Sequence, residues 1–161
     1  MLAPAAQATH AFPPVRIRGS VPPPAGDPID DAHEPLAETL RVIGAAMAYP
    51  RNSEIFGEGE PAEFLYRVIS GCVRTCKILS DGRRQIGGFY LPGEVFGLAG
   101  GDEHTLSAEA VTGAKVLVIK RSALDALADR SPAIARALFA LTGCELLRVQ
   151  GRVLLLIKSA Q

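Results

Sequence analysis

The chain has 161 residues, and its 17 basic and 17 acidic side chains give a formal net charge of zero. This balance predicts no broad basic face and therefore no electrostatic footprint for nucleic acid. Three cysteines are too few for a secreted disulfide framework, no apolar run reaches the ~20 residues of a membrane span, and the N-terminus does not read as a signal peptide. We expect one soluble, cytoplasmic domain with a sizeable core.

Residues 1–33 form the first zone and hold seven of the twelve prolines. Proline removes amide donors and fixes φ, so this segment can join neither a sheet nor a useful helix. We predict a disordered tail, and favour a solvated tail over a proline-directed docking segment.

A short helix is predicted after Pro35. Leu36, Leu40, Ile43 and Met47 are spaced by four, three and four residues, which would place them on one apolar stripe. Pro50 is expected to end this helix.

The apolar period changes to two between Ile55 and Lys120. Strand-like runs separated by turn residues are Phe64–Ile69, Val73–Leu79, Gln85–Leu91, Leu106–Val111 and Lys115–Ile119. Short strands at this spacing, without long helices between them, indicate an antiparallel roll, barrel or sandwich. Residues 34–130 are therefore predicted to be a β-roll domain with flanking short helices.

The third zone, residues 131–161, is predicted to be helical. Ser122 and Asp125 suggest a capping box for a short preceding helix, and Ser131 with Pro132 supplies the start of a longer one. Running to the chain end, it would be roughly 43 Å long, more than its own domain can cover.

A row of residues spaced alternately by four and three positions runs along this predicted helix. Such a seam is typical of two helices packed side by side and indicates a homodimer, and its small residues would let the two helices approach closely. The alternative is a helix packed only on its own domain. The seam comprises Ala137, Ala140, Cys144, Leu147, Gly151 and Leu154.

The glycine placement in residues 58–66, 70–74 and 86–98 resembles the CRP/FNR family of bacterial transcription regulators, and the last two segments resemble its FixK branch. The resemblance implies a mainly β fold: an antiparallel double-stranded β-roll, the cyclic-nucleotide-binding jelly roll, followed by a long dimerisation helix. It also implies a transcription activator of nitrogen fixation that binds palindromic DNA through a C-terminal helix-turn-helix domain. That domain is expected to be absent from this chain.

The family's effector pocket is expected here in a degenerate form, comprising Gly97, Leu98, His104 and Thr105. The resemblance implies that members that bind cyclic nucleotides use a glutamate to contact the ribose and an arginine to contact the cyclic phosphate. This chain has Leu98 and His104 at the corresponding positions. Leucine accepts no hydrogen bond, and histidine lacks the guanidinium fork. We therefore predict no response to cyclic AMP.

No cofactor is expected either. Oxygen sensors of the family hold an iron–sulfur centre with four thiolates, whereas this chain has only Cys72, Cys76 and Cys144. The FixK resemblance implies control by the amount of protein instead.

A hairpin tip with the sequence Ser-Asp-Gly-Arg-Arg carries a further prediction. Asp-Gly is a strong hairpin signal and would expose Asp81, Arg83 and Arg84. In FNR-like activators a loop in this position contacts RNA polymerase; a plain solvated turn is about equally compatible with the pattern.

Two other classes of protein remain as alternatives. A cupin-like metalloenzyme would need several histidines in the roll, and only His104 lies there, so we predict no enzyme activity. A binding module for an apolar effector is also compatible, because Leu98 makes the pocket more apolar.

Overall fold

The computed structural model describes residues 29–98 and 101–159, and the side-chain surroundings of residues 36–98 and 101–151. Most of the predicted tail lies outside this range. Helix α1 spans Ile29–Ile43, so it begins five residues inside the segment predicted as tail.

Among the described residues, eight strands and two further helices follow α1. The strands are β1 Ala45–Tyr49, β2 Glu54–Phe56, β3 Phe64–Ser70, β4 Val73–Ile78, β5 Arg84–Tyr90, β6 Val95–Phe96, β7 Ser107–Ala110 and β8 Ala114–Lys120. The helices are α2 Arg121–Ala128 and α3 Pro132–Ser159.

The strands form two four-stranded antiparallel sheets, with the orders β1-β8-β3-β6 and β2-β7-β4-β5. Alternate side chains of each sheet meet in a buried layer between them, as period-two patterning requires. This layer consists of Phe56, Tyr66, Val68, Val73, Tyr90, Phe96, Ala108, Ala110, Ala114 and Val116. The antiparallel β-roll predicted from the sequence is confirmed.

A second core lies between the outer face of the first sheet and the helices. Leu65 and Leu117 project from the sheet towards α1, α2 and the first half of α3, because successive residues of a strand face opposite sides. The cluster contains Leu36, Leu40, Leu65, Leu117, Ile119, Leu124 and Ala137. These contacts attach α3 to the roll.

The predicted end of the first helix is wrong. The helix stops at Ile43, and Met47 lies in β1, where it is 49% exposed. At Gly44 a Cβ would come within 2.7 Å of the Leu117 side chain, so the chain passes too close to the sheet for any larger residue. The four-three-four pattern had continued by chance into an edge strand.

Of the two predicted helix starts, the structure contradicts that of the short helix and agrees with that of the long helix. Lys120 is the N-cap of α2 and makes no side-chain capping hydrogen bond, so the capping box of Ser122 and Asp125 is wrong. The Ile134 amide donates to Ser131 Oγ at 3.5 Å, at the predicted start of the long helix.

Among the described residues, no helix is long and apolar enough to cross a membrane.

Truncation of Leu40 tests the helix–sheet core. Leu40 is 1% exposed, so Leu40→Ala should lower the free energy of unfolding by about 2–5 kcal/mol. Val42, on the same helix, is 84% exposed, and Val42→Ala should change it by no more than about 0.5 kcal/mol. Urea unfolding followed by circular dichroism measures both; equal effects would contradict the proposed packing of α1.

Candidate functional site

A cavity of about 190 Å³ is lined by the second sheet, by residues between β6 and β7, and by α3. Strands, one loop and the helix all contribute to its wall. The lining residues are Phe56, Thr75, Tyr90, Gly97, Leu98, His104, Thr105, Leu106, Glu145 and Val149. All four residues predicted for the effector pocket, Gly97, Leu98, His104 and Thr105, therefore line one cavity.

His104 enters the cavity wall because its loop pairs with another loop. The His104 amide donates to the Glu60 carbonyl at 2.9 Å, and the Gly59 amide donates to the His104 carbonyl at 2.8 Å. This pairing turns the imidazole inward, where it stacks on Phe56 with ring centroids 3.7 Å apart and is 3% exposed. The loop therefore supplies an aromatic wall where an arginine would supply a charge.

The environment of His104 favours its neutral form. Burial lowers the pKa of His104, the positive charge of Arg121 lowers it further, and the negative charge of Glu60 opposes both. The net shift is downward, so His104 is a neutral hydrogen-bonding group at neutral pH.

Gly97 shapes the opposite side of the cavity. Its φ of 79° lies in the left-handed region, and a Cβ there would come within 2.9 Å of the Tyr66 ring. Its carbonyl accepts a hydrogen bond from Arg121 at the start of α2. Glycine is thus required both for the turn and for the close approach of Tyr66.

A polar network holds α3 over the cavity. Tyr90 donates its hydroxyl to Glu145 Oε1 at 2.7 Å, and Arg148 lies 5.0 Å from the Tyr90 ring centroid. Arg148 also pairs with Glu94, whose other oxygen accepts from the Leu91 amide at 2.7 Å. The cavity and the helix are therefore coupled through a shared residue, Glu145.

Sequence reasoning missed Thr75 and Glu145. Thr75 follows Val73 at the period of two that faces the core, so its inward direction could have been read from the sequence. Glu145 gave no such signal, because its contact with Tyr90 depends on how α3 crosses the roll.

The exposed residues of the predicted seam are Ala140, Cys144, Leu147 and Gly151, and the side chain of Leu154 lies outside the described residues. Ala137 is buried in the helix–sheet core of its own chain, so it cannot take part in a dimer seam. The seam spacing had been extended back into the turns of α3 that pack on α1 and α2.

The hairpin between β4 and β5 separates the three residues predicted at its tip. Arg83 Nε lies 2.6 Å from Asp81 Oδ2, and both side chains are exposed. Arg84 turns to the sheet instead and pairs with Glu109 at 3.0 Å. Asp81 and Arg83 form the free tip.

Glu109 is the centre of a charged cluster on the outer face of the second sheet. It also accepts from Arg74 at 3.1 Å and from the Cys76 thiol at 3.1 Å. Burial alone would raise the pKa of Glu109, but the hydrogen bonds and positive charges of its partners lower it. Cys76 is thus a buried thiol, with a pKa raised first by burial and then by the hydrogen bond to Glu109.

Comparison with known proteins agrees with this geometry. Residues 46–131, more than half of the chain, match the family model of the cyclic nucleotide-binding domain. The nitrogen fixation regulation protein FixK of Azorhizobium caulinodans is 46% identical over 127 residues, which cover 79% of this chain and 51% of that protein.

Solved structures agree as well. FixK2 from Bradyrhizobium japonicum aligns with a TM-score of 0.67 and 46% identity over 70% of this chain and 57% of that one. The Thermus thermophilus catabolite activator protein aligns with a TM-score of 0.64 and 28% identity over 76% and 59%.

The chain belongs to the cyclic nucleotide-binding domain family, in the FixK-like branch of the CRP/FNR regulators. The predicted family and fold class are confirmed, and the relatives are transcription regulators rather than enzymes. The chain spans about half the length of the FixK protein it matches.

The lowered pKa of His104 predicts a pH dependence of stability. Its folded-state pKa lies below the unfolded-state value of about 6.5, so the unfolded chain binds more protons between the two values. The free energy of unfolding should therefore fall as the pH drops below about 6.5. His104→Phe keeps a ring against Phe56 and removes the titrating group, so it should lose less stability between neutral and mildly acidic pH. Urea midpoints measure this; identical pH profiles for both proteins would show that His104 does not contribute.

Proposed function

We propose that this chain is the regulatory and dimerisation region of a FixK-like transcription activator, working in the cytoplasm as a homodimer. The observation that carries the proposal is α3, whose first half packs on its own roll while another face remains exposed. With 28 residues it extends about 42 Å, beyond what the roll can cover. The DNA and RNA polymerase contacts are proposed for the full-length protein.

A second copy of the chain is the proposed partner of the exposed face of α3. Ala140, Cys144, Leu147 and Gly151 repeat at the four-three spacing of a two-helix interface, and all four are exposed. Leu147 is 68% exposed, which is costly for an apolar side chain unless another surface covers it. Gly151 and Ala140 allow the two helix backbones to approach closely.

We further propose that the cavity does not accept cyclic AMP. Among its described lining residues there is neither lysine nor arginine, while Glu145 adds a carboxylate. A cyclic phosphate needs cationic or amide donors, and the wall offers Leu98 and neutral His104 instead. Without a cyclic nucleotide, activity would follow the amount of protein made.

Asp81 and Arg83 are the proposed RNA polymerase contact. Their exposed ion pair at the hairpin tip is stiffened by the Arg83 amide, which donates to Asp81 Oδ1 at 3.0 Å. Arg84 is left out of this surface because its side chain is held by Glu109.

Leu147→Asp should dissociate the dimer. A carboxylate buried against a second helix is unpaired, so the free energy of association should weaken by about 2 kcal/mol or more. Val42→Asp, on α1, provides the control, since it introduces the same charge at another exposed apolar helix position. Sedimentation velocity should show monomers for the first variant and dimers for the second; dimers for both would exclude α3 as the interface.

A chimera tests activation. Replacing the matched half of Azorhizobium caulinodans FixK with this chain should give a protein that activates a FixK-dependent promoter. Asp81→Ala with Arg83→Ala should then lower transcription by up to about fivefold, since one surface contact is worth up to about 1 kcal/mol, with DNA binding intact.

The matched control is Glu38→Ala with Arg41→Ala, which removes another exposed ion pair, on α1, and should leave transcription unchanged. Loss of DNA binding in the hairpin variant would contradict the polymerase contact. A chimera that is dimeric and binds the promoter but never activates would contradict the assignment as an activator.

A further inference from the structure

Two buried polar atoms in the cavity wall have no hydrogen-bond partner among the described residues: Thr75 Oγ1 and His104 Nε2. Thr75 is 4% exposed and His104 is 3% exposed, so bulk water does not reach either side chain freely. Leaving such an atom unpaired costs about 1–3 kcal/mol of stability. Two such atoms beside one cavity indicate that a molecule bound there could form hydrogen bonds with both.

The remainder of the wall is largely apolar. Phe56, Leu98, Leu106 and Val149 contribute rings and aliphatic side chains. A Cβ at Gly87 would come within 2.8 Å of both Thr75 Oγ1 and a Leu106 methyl, so glycine is needed there for these two side chains to hold their positions in the wall. A cavity of about 150 Å³ holds benzene in another protein, and this one measures about 190 Å³. Its size therefore suits a single six-membered ring with one substituent.

The charges around the cavity favour a neutral occupant. Glu145 is the acidic residue of the wall, and it already accepts from the Tyr90 hydroxyl and lies 3.8 Å from Arg148. An anion would meet this carboxylate, and a cation would have to displace Arg148 from it. A neutral hydroxyl or carbonyl faces neither penalty. A hydroxyl can donate to or accept from Thr75 and His104, whereas a carbonyl can accept from them.

We propose that this cavity binds a neutral, ring-sized organic molecule carrying one hydroxyl or carbonyl group, which hydrogen-bonds to Thr75 and His104 while its ring packs on Phe56 and Leu106. This ligand site goes beyond the proposed regulatory function and does not depend on the dimer or on DNA binding. Because Glu145 lies in the cavity wall and on α3, the occupant would contact the helix that carries the proposed dimer surface.

Phenol and toluene are the matched probes, because they share a shape and differ by one hydroxyl. Amide chemical-shift titrations of the full 161-residue chain should show phenol binding with a dissociation constant of about 1 mM or tighter, and shifts centred on Phe56, Thr75 and Leu106. Toluene should bind about 3- to 10-fold more weakly, the value of one hydrogen bond. Benzoate and benzylammonium test the exclusion of charge and should not shift these amides.

The variants Thr75→Val and His104→Phe should each reduce the preference for phenol over toluene towards unity. Thr75→Val preserves shape and removes an unpartnered hydroxyl, so the variant should unfold at the same temperature or higher. The Thr75→Val variant therefore still tests the phenol preference even if His104→Phe is poorly folded. Thr142→Val is the control: its hydroxyl bonds to the Leu138 carbonyl on α3, and its loss should leave the preference unchanged.

Three results would overturn the proposal: no shift at the cavity residues with saturating phenol, benzoate binding as well as phenol, or a phenol preference unchanged in Thr75→Val. The first would mean that the cavity holds water only. Cyclic AMP is titrated alongside. Its binding would overturn the proposed indifference to cyclic nucleotides, whereas failure of phenol alone would overturn only the ligand proposed here.

Discussion

The contact between α3 and the β-roll is the interaction on which the rest of the molecule depends. Ala137 and its neighbours bury the first turns of the helix against the outer face of one sheet, and Arg148 with Glu145 ties the middle of the helix to Tyr90 and Glu94. The same contact closes the cavity and determines which helix face stays exposed. A change in how α3 lies on the roll would therefore alter the cavity and the proposed dimer surface together.

Loop pairing gives the cavity its chemical character. The backbone hydrogen bonds of His104 with Gly59 and Glu60 place an imidazole in an apolar layer, where burial favours its neutral form. This arrangement costs stability, since His104 Nε2 and Thr75 Oγ1 lack partners among the described residues. Departures of this kind from full polar satisfaction concentrate at functional sites. The roll thus keeps the shape of its family, and neither lysine nor arginine is among the described residues that line its cavity.

Much of the architecture was readable from local pattern. Period-two alternation located β3, β4, β5, β7 and β8 within one or two residues, and Ser131 with Pro132 marked the start of α3. The errors arose where pattern and tertiary contact diverge. Met47 continued a helical spacing but lies in an edge strand, because Gly44 lets the chain turn closely past Leu117. Ala137 satisfied a seam spacing but packs inside its own domain.

The sequence by itself determined the β-roll and the long helix, because the alternation of apolar residues and the Ser131-Pro132 helix start are local properties. Only the tertiary structure decided that His104 is buried and stacked on Phe56, that Thr75 shares its cavity, and that Glu145 reaches Tyr90. The His104–Phe56 and Glu145–Tyr90 contacts join residues 48 and 55 positions apart. Their geometry depends on how loops pair and how a helix crosses a sheet, which no local spacing encodes.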